Sequence, residues 1–265
     1  MTSCQSKFEA YSNLVKSSNG RDKVIRLCSY CSRLLGVLAS RGGGRSSSPG
    51  AAAGPGAMLG SIADRLNACR VILRLFDDIP MALFTKSYGW GHTEKHPIMS
   101  LLGVASNIVN QLFYPVEHIA WLGELRLVPV NVTRWQTWSV AVWAISLLIS
   151  IIRNCLTIYG LRVNLKRLNK RQSMNLLEAR DSAATSSTDE QIHLLRRTLH
   201  TQTVELVRNV ADMMNAVHWL PKGFLWAGQL SPLISALFGT TSSVGFVYLA
   251  IANQKSTAAS GKSKD

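Results

Sequence analysis

Hydrophobic residues recur every three or four positions along most of the chain, which is the period of an α-helix. Residues 1–39 are predicted to form amphipathic basic helices, and residues 58–134 an amphipathic helical region at a membrane surface. The apolar stripe of the second region is predicted to insert into lipid; its members are Leu59, Ile62, Leu66, Leu73 and Phe76. The alternative for this stripe is the core of a helical bundle.

Two long uncharged runs follow. Residues 135–152 carry no formal charge, and the apolar character resumes after Arg153 as far as Tyr159. A membrane span needs about 20 apolar residues, so residues 135–159 are predicted to be a first transmembrane helix. The alternative is a buried helix of a soluble bundle. Residues 223–254 are also uncharged and are predicted to be a second transmembrane helix, in which Gly239 and Gly245 favour close helix packing.

The segments between these helices are marked by composition. Residues 40–57 are rich in Gly, Ser and Pro and are predicted to be a disordered linker. Pro80 and Pro115 are predicted to interrupt helices. Residues 160–222 are predicted to be a basic helical loop with a polar linker near 181–190, and residues 255–265 a short tail. The predicted fold is therefore all-α, with an amphipathic amino-terminal region and about two transmembrane helices.

The net charge of +14 calls for an anionic partner. Nucleic acid is disfavoured because the basic residues are interleaved with membrane-like segments, which leaves acidic phospholipid. The predicted headgroup-binding residues are Lys23, Arg26, Arg33, Arg65, Arg70 and Arg74. The predicted anchors at the membrane–water interface are Trp135, Trp138, Trp219, Lys222 and Trp226.

No catalytic or metal-binding motif stands out. The Cys28-x-x-Cys31 pair has no second pair, and His92 and His96 lie in a stretch broken by Gly and Pro. We therefore expect no enzyme activity, no cofactor and no metal. The odd number of cysteines and the absence of an apolar leader favour reduced thiols and a cytosolic amino-terminal part. Arg153 and the hydroxyls at 240–243 keep a pore for small solutes as the alternative function.

Four blocks of sequence together resemble the gamma type of the peroxisomal biogenesis factor 11 family. They are GRDKVIRLCSYCSRLLG, CRVILRLFDDIPMALFTKSYGWG, NQLFYPVEHIAWL and NAVHWLPKGFLWAG. The resemblance implies a multi-pass peroxisomal membrane protein that promotes membrane elongation and fission and forms homo-oligomers and hetero-oligomers. It also implies partners: fission adaptors, a dynamin-like GTPase and the import receptor for peroxisomal membrane proteins.

The expected topology contains a conflict. Two crossings put both termini on the same side of the membrane. The positive-inside rule would place the basic cluster at 162–171 in the cytosol and both termini on the other side. The resemblance implies that both termini face the cytosol, which we adopt as the expectation because peroxisomal membrane proteins can insert by a route to which the rule does not apply.

Overall fold

The computed structural model describes residues 9, 11–42, 54–92, 94, 96–177 and 182–261. Over these residues the protein is helical and contains no strand, which confirms the all-α prediction. The longer helices are α1 (Ser18–Gly42), α2 (Pro55–Arg74), α3 (Asp78–Tyr88), α4 (Pro97–Glu124), α5 (Val132–Leu177), α6 (Ser182–His218) and α7 (Pro232–Gly261).

The helices pack in an order that brings the two ends of the chain together. Neighbours in sequence pack against each other from α3 through to α7, and α1 packs on both α2 and α7. The contact between α1 and α7 is close, because a Cβ atom added to Gly239 would lie 2.1 Å from the Tyr30 ring. The amino-terminal hairpin is therefore fixed to the last helix of the chain.

Small residues bring α1 and α2 into backbone contact. A Cβ atom on Gly36 would lie 3.0 Å from the carbonyl oxygen of Gly56, and one on Gly56 would lie 2.0 Å from Ser40 Oγ. Further along, the Ser29 hydroxyl donates a 2.9 Å hydrogen bond to the carbonyl of Ala63. The two helices are thus antiparallel partners along most of their length.

Two helices have the length and composition of membrane spans, Val132–Met174 and Pro232–Asn253. They contain or overlap the predicted spans 135–159 and 223–254. The second helix begins only at Pro232, because residues 219–231 form a compact loop. In this loop the N–H groups of Gly228 and Leu230 donate to the backbone oxygen and the Nδ1 atom of His218, at 2.9 and 3.2 Å.

Several helix boundaries differ from the predictions. Pro115 lies inside α4, and Pro80 lies in the first turn of α3, where the missing N–H has no intrahelical partner to lose. The polar stretch near 181–190 is helical from Ser182 onward, and α5 extends through the basic cluster to Leu177. Of the predicted linker 40–57, residues 43–53 lie outside the described part of the chain, as do residues 262–265 of the tail.

The described residues include several buried polar side chains and many exposed large apolar ones. The largest fully buried side chains are those of Asn215, Asp212, Ser242 and Ser243. Many large apolar side chains are exposed instead, among them Leu101, Ile108, Leu148 and Ile234. Since buried polar groups and exposed apolar surface are the informative exceptions to ordinary burial, this pattern indicates an apolar environment around the bundle.

Candidate membrane interface

The helix α2 carries two mainly apolar stripes about 100° apart around its axis, and each stripe includes one arginine. The inner stripe faces α1, with Ala63 fully buried and Leu59 beside Gly36. Its half-buried members are Leu59, Leu66, Arg70 and Leu73. The outer stripe is exposed and comprises Met58, Ile62, Arg65, Cys69, Ile72 and, just past the helix end, Phe76. We call these residues the outer stripe of α2.

The predicted membrane-inserting residues divide between the two stripes. Ile62 and Phe76 belong to the outer stripe and are 48% and 77% exposed. Leu59, Leu66 and Leu73 are half-buried on the side that packs on α1. Sequence reasoning missed Met58 and Ile72, although their spacing from Ile62 places them on the same helical face. Insertion of the five predicted residues stays a prediction.

Arg26 of α1 is buried within the bundle. It is 7% exposed, forms an ion pair with Asp212 of α6, and donates a 3.2 Å hydrogen bond to the Ser242 hydroxyl of α7. Burial alone would lower the pKa of Arg26, but the charge and hydrogen bond of Asp212 outweigh this, so that its pKa is raised. In this conformation the guanidinium of Arg26 binds Asp212 and Ser242 inside the bundle.

Arg70 and Arg74 of α2 also pair with carboxylates of other helices. Arg70 Nε donates to Asp22 of α1 at 2.8 Å, and Arg74 Nε donates to Glu117 of α4 at 2.9 Å. Burial lowers the pKa of Arg70 more than Asp22 raises it. For Arg74 the hydrogen bond and charge of Glu117 outweigh burial, and the pKa is raised. These two arginines therefore hold α2 to its neighbours.

The remaining predicted headgroup ligands are more accessible. Arg33 pairs with Asp64 at 2.5 Å, but both side chains are exposed. Arg65 is exposed within the outer stripe of α2. Lys23 is half-buried with its Nζ 5.9 Å from the centre of the Phe246 ring, and burial lowers its pKa. Headgroup binding by the six residues stays a prediction, and Arg65 has the geometry that suits it best.

The predicted interface anchors gather at one end of the bundle. The rings of Trp143 in α5 and Trp219 stack with centroids 5.8 Å apart, which places the start of α5 beside the loop 219–231. Trp226 is oriented by a 3.0 Å hydrogen bond from its Nε1 to the carbonyl of Met214, whereas Trp138 is 63% exposed. We call the region of residues 125–138 and 219–231 the aromatic end.

Arg153, the charge that interrupts the first span, has a partner. Its guanidinium lies 3.1 Å from Glu94, which stands just before α4, and both side chains are partly buried. The Tyr88 hydroxyl donates to the same carboxylate at 3.3 Å. The first span therefore carries a paired charge, which costs far less in an apolar environment than a lone arginine.

A family model described as peroxisomal biogenesis factor 11 (PEX11) matches residues 8–249. The chain belongs to the peroxisomal biogenesis factor 11 family. This match covers α2 with both of its stripes, the Arg26–Asp212 pair, the first candidate span and the second as far as residue 249. The residues that place the chain in the family therefore lie in both the amino-terminal hairpin and the membrane-like helices.

Two relatives within this family are similar over nearly their whole length. Peroxisomal membrane protein 11C of Homo sapiens is 35% identical over 237 residues, which is 89% of this chain and 91% of the relative. Peroxisomal membrane protein 11C of Mus musculus is 35% identical over 231 residues, 87% of this chain and 88% of the relative. No solved structure matches the chain.

Proposed function

We propose that this PEX11-family protein is a non-enzymatic protein of the peroxisomal membrane that elongates the membrane and promotes peroxisome division. The observation that carries the proposal is the outer stripe of α2, an exposed apolar helical face on a helix whose other face is held by the bundle. Inserted into one leaflet, such a face displaces headgroups on that side only, and the difference in area between the leaflets bends the membrane.

The helix α2 suits this role better than α1. In the structure α1 packs on α2 with one side and on α7 with another, so much of its apolar face is covered. By contrast, α2 packs mainly on α1 and leaves Met58, Ile62 and Ile72 exposed. Arg65, in the same stripe, would reach an acidic headgroup, and such a contact contributes about 1 kcal/mol near a membrane surface.

Bending a membrane requires many copies, so the proposal includes homo-oligomers and hetero-oligomers with other family members. It also includes fission adaptors, a dynamin-like GTPase and the import receptor for peroxisomal membrane proteins as partners, with both termini in the cytosol. The family membership of the chain supports these partners. The pore alternative, which rests on Arg153 and the hydroxyls at 240–243, has less support, because Arg153 pairs with Glu94 and the Ser242 hydroxyl is bound by Arg26.

The test compares two neighbouring glutamate substitutions in the full-length protein reconstituted into vesicles with and without acidic lipid. Ile62→Glu places a charge in the outer stripe of α2, whereas Ser61→Glu places the same charge on an exposed polar position beside it. We expect electron microscopy to show tubules for the unchanged protein and for Ser61→Glu with acidic lipid, and none for Ile62→Glu.

The same pair of variants can be expressed in cells that lack their own family members, with peroxisome length and number as the readout. Elongation should return with Ser61→Glu and fail with Ile62→Glu at equal abundance in the peroxisomal membrane. Equal tubulation by both variants would remove α2 as the bending element. Arg65→Ala should weaken binding to acidic vesicles about fivefold, the factor that corresponds to about 1 kcal/mol.

A further inference from the structure

The helix α4, which sequence analysis placed at the surface, shares its length and lack of charge with a membrane helix over residues 97–116, although it is not one of the two candidate spans. Residues 97–116 carry no Asp, Glu, Lys or Arg, and 20 helical residues extend about 30 Å, the thickness of the hydrocarbon core. Its buried residues are Gly103, Asn107, Ala120 and Gly123. The side of α4 that packs against the protein is thus made of small and polar residues, as in helix contacts within a bilayer.

The outer face of α4 is apolar. Leu101, Ile108 and Leu112 are exposed and recur at helical spacing on one side of the helix. The helix packs along α5, whose exposed residues Ile145 and Leu148 continue this apolar surface across the hairpin. A span and its antiparallel partner thus share one apolar outer surface, and acyl chains are the occupant that fits it.

The second half of α6 lies beside both candidate spans. Its Asn215 Nδ2 donates to the Ser235 carbonyl of α7 at 3.0 Å, and its His200 Nε2 lies 3.0 Å from Tyr248 Oη. Residues 200–215 of α6 therefore run antiparallel to residues 235–248, the middle of the second span. At the near end the stack of Trp219 on Trp143 aligns α6 with the first span as well.

Asp212 and Arg208, two of the three charged residues at 200–218 of α6, have partners inside the bundle, and the third, Glu205, is half-buried. Asp212 is 2% exposed and pairs with Arg26, and the guanidinium of Arg208 lies 3.9 Å from the centre of the Phe246 ring. The outward residues of the same helix include Val207 and Val210, both exposed. Ionisable residues inside membranes follow this rule: they face the interior and are paired.

We propose that α4, α5, the second half of α6 and α7 all cross the membrane, so that this chain has four crossings from α4 onward. The hairpin of α1 and α2 enters and leaves on one side and does not change that count. The aromatic end, with the connections 125–131 and 219–231, lies on the side opposite the amino terminus. The α5–α6 connection and the carboxyl terminus lie on the same side as the amino terminus.

This arrangement removes the conflict between the charge rule and a cytosolic amino terminus. The basic residues of the segment 160–199 come to the cytosolic side; they are Arg162, Lys166, Arg167, Lys170, Arg171, Arg180, Arg196 and Arg197. The two connections on the other side contain only Arg126 and Lys222. Lys and Arg are enriched in cytoplasmic connections, and four crossings meet this rule where two crossings break it.

The test maps each connection by cysteine labelling in the full-length protein. The native cysteines are replaced by serine and single cysteines are introduced as Leu127→Cys, Ser173→Cys, Phe224→Cys and Thr257→Cys, with native Cys4 alone as the amino-terminal reference. The probe is a maleimide on a polyethylene glycol chain too large to cross membranes, added to cells whose plasma membrane is selectively permeabilised. Labelling is read as a gel shift, before and after detergent.

Four crossings predict that positions 4, 173 and 257 label without detergent and that 127 and 224 label only after it. If only α5 and α7 cross, 127 labels with the amino terminus and 173 and 224 are protected, which would overturn the proposal. If α6 does not cross, position 127 labels only after detergent, 173 and 224 both label without it, and 257 is protected. That result would also overturn the proposal of four crossings. The outcome does not depend on whether α2 bends lipid.

A second measurement tests whether α4 crosses the membrane, through the depth of labels along the helix. Nitroxide labels at Ile98, Leu101, Ile108 and Leu112 report exposure to oxygen, which concentrates in the hydrocarbon core, and to a water-soluble nickel reagent. A crossing helix gives the greatest depth at Ile108 and the least at Ile98. A helix lying in the membrane surface gives four similar shallow depths, and that result would contradict the proposal whatever the labelling of the connections shows.

Discussion

Two helical hairpins of the molecule, α1–α2 and α4–α5, differ in how their charged residues are distributed. The first has charged residues throughout and is held by ion pairs such as Arg70–Asp22 and by the contact of Gly36 with Gly56. The second carries no formal charge over residues 97–116 of α4 and only Arg153, paired with Glu94, over residues 135–161 of α5, and it exposes apolar side chains. The difference fits our two proposals, that the outer stripe of α2 inserts into one leaflet and that α4 and α5 cross the acyl-chain region.

The largest expected effect on stability comes from breaking the Arg26–Asp212 ion pair, which joins α1 to α6. Asp212→Ala leaves Arg26 buried without a counter-ion and should destabilise the protein by about 3–5 kcal/mol. Thermal unfolding in detergent, followed by circular dichroism, measures this. The double exchange Arg26→Asp with Asp212→Arg should recover part of the loss, and an equal loss in single and double variants would show that the pair does not act as a unit.

Substituting one glycine in each hairpin by alanine distinguishes the effect of packing on stability from that of helix propensity. A Cβ atom on Gly103 of α4 would lie 1.8 Å from the Tyr88 hydroxyl, so Gly103→Ala should cost about 1–3 kcal/mol through the displaced ring. Gly60 of α2 has open space around its Cα, and Gly60→Ala should stabilise by about 0.5–1 kcal/mol. Both follow from unfolding in the same detergent, and two changes of the same sign would contradict the packing described here.

Two ion pairs of the charged hairpin should differ because of their exposure. Arg74 and Glu117 are largely shielded from solvent, so Arg74→Ala should cost about 1–2 kcal/mol, toward the lower end for a hydrogen bond to a charged group. Arg33 and Asp64 are exposed, and Arg33→Ala should cost no more than about 0.5 kcal/mol. Parallel unfolding curves compare the two, and a reversed order would refute the role of Arg74 in tying α2 to α4.

The smallest effect concerns pH at the end of α2. Burial, together with Asp22 and other carboxylates and against the opposing charge of Arg74, raises the pKa of Asp77. A raised pKa in the folded state means that the folded protein holds this proton more tightly, so stability is lost as the pH rises from about 4 through the raised pKa. Asp77→Asn should remove this part of the pH dependence, which unfolding at several pH values between 3 and 7 would detect; an unchanged profile would count against it.

The sequence predicted the helices well because helical periodicity is a local signal. It did not show which stripe of α2 faces protein, since Leu59 and Met58 are equally apolar and only the distant Gly36 distinguishes them. It also offered Arg26 as a headgroup ligand, because its partner Asp212 lies 186 residues away. The prolines misled for a similar reason: Pro115 removes one hydrogen bond from α4, and packing against α5 compensates a loss that propensity alone would count in full.

The packing of α1 on α7 has a consequence for the synthesis and folding of the protein. Arg26 meets Ser242 across 216 residues, so this contact forms only when nearly the whole chain has left the ribosome. Until then the Arg26–Asp212 pair lacks Ser242, and contacts so distant in sequence form slowly. We therefore expect this contact, and with it the packing of α1 on α7, to form only after most of the chain has been synthesised.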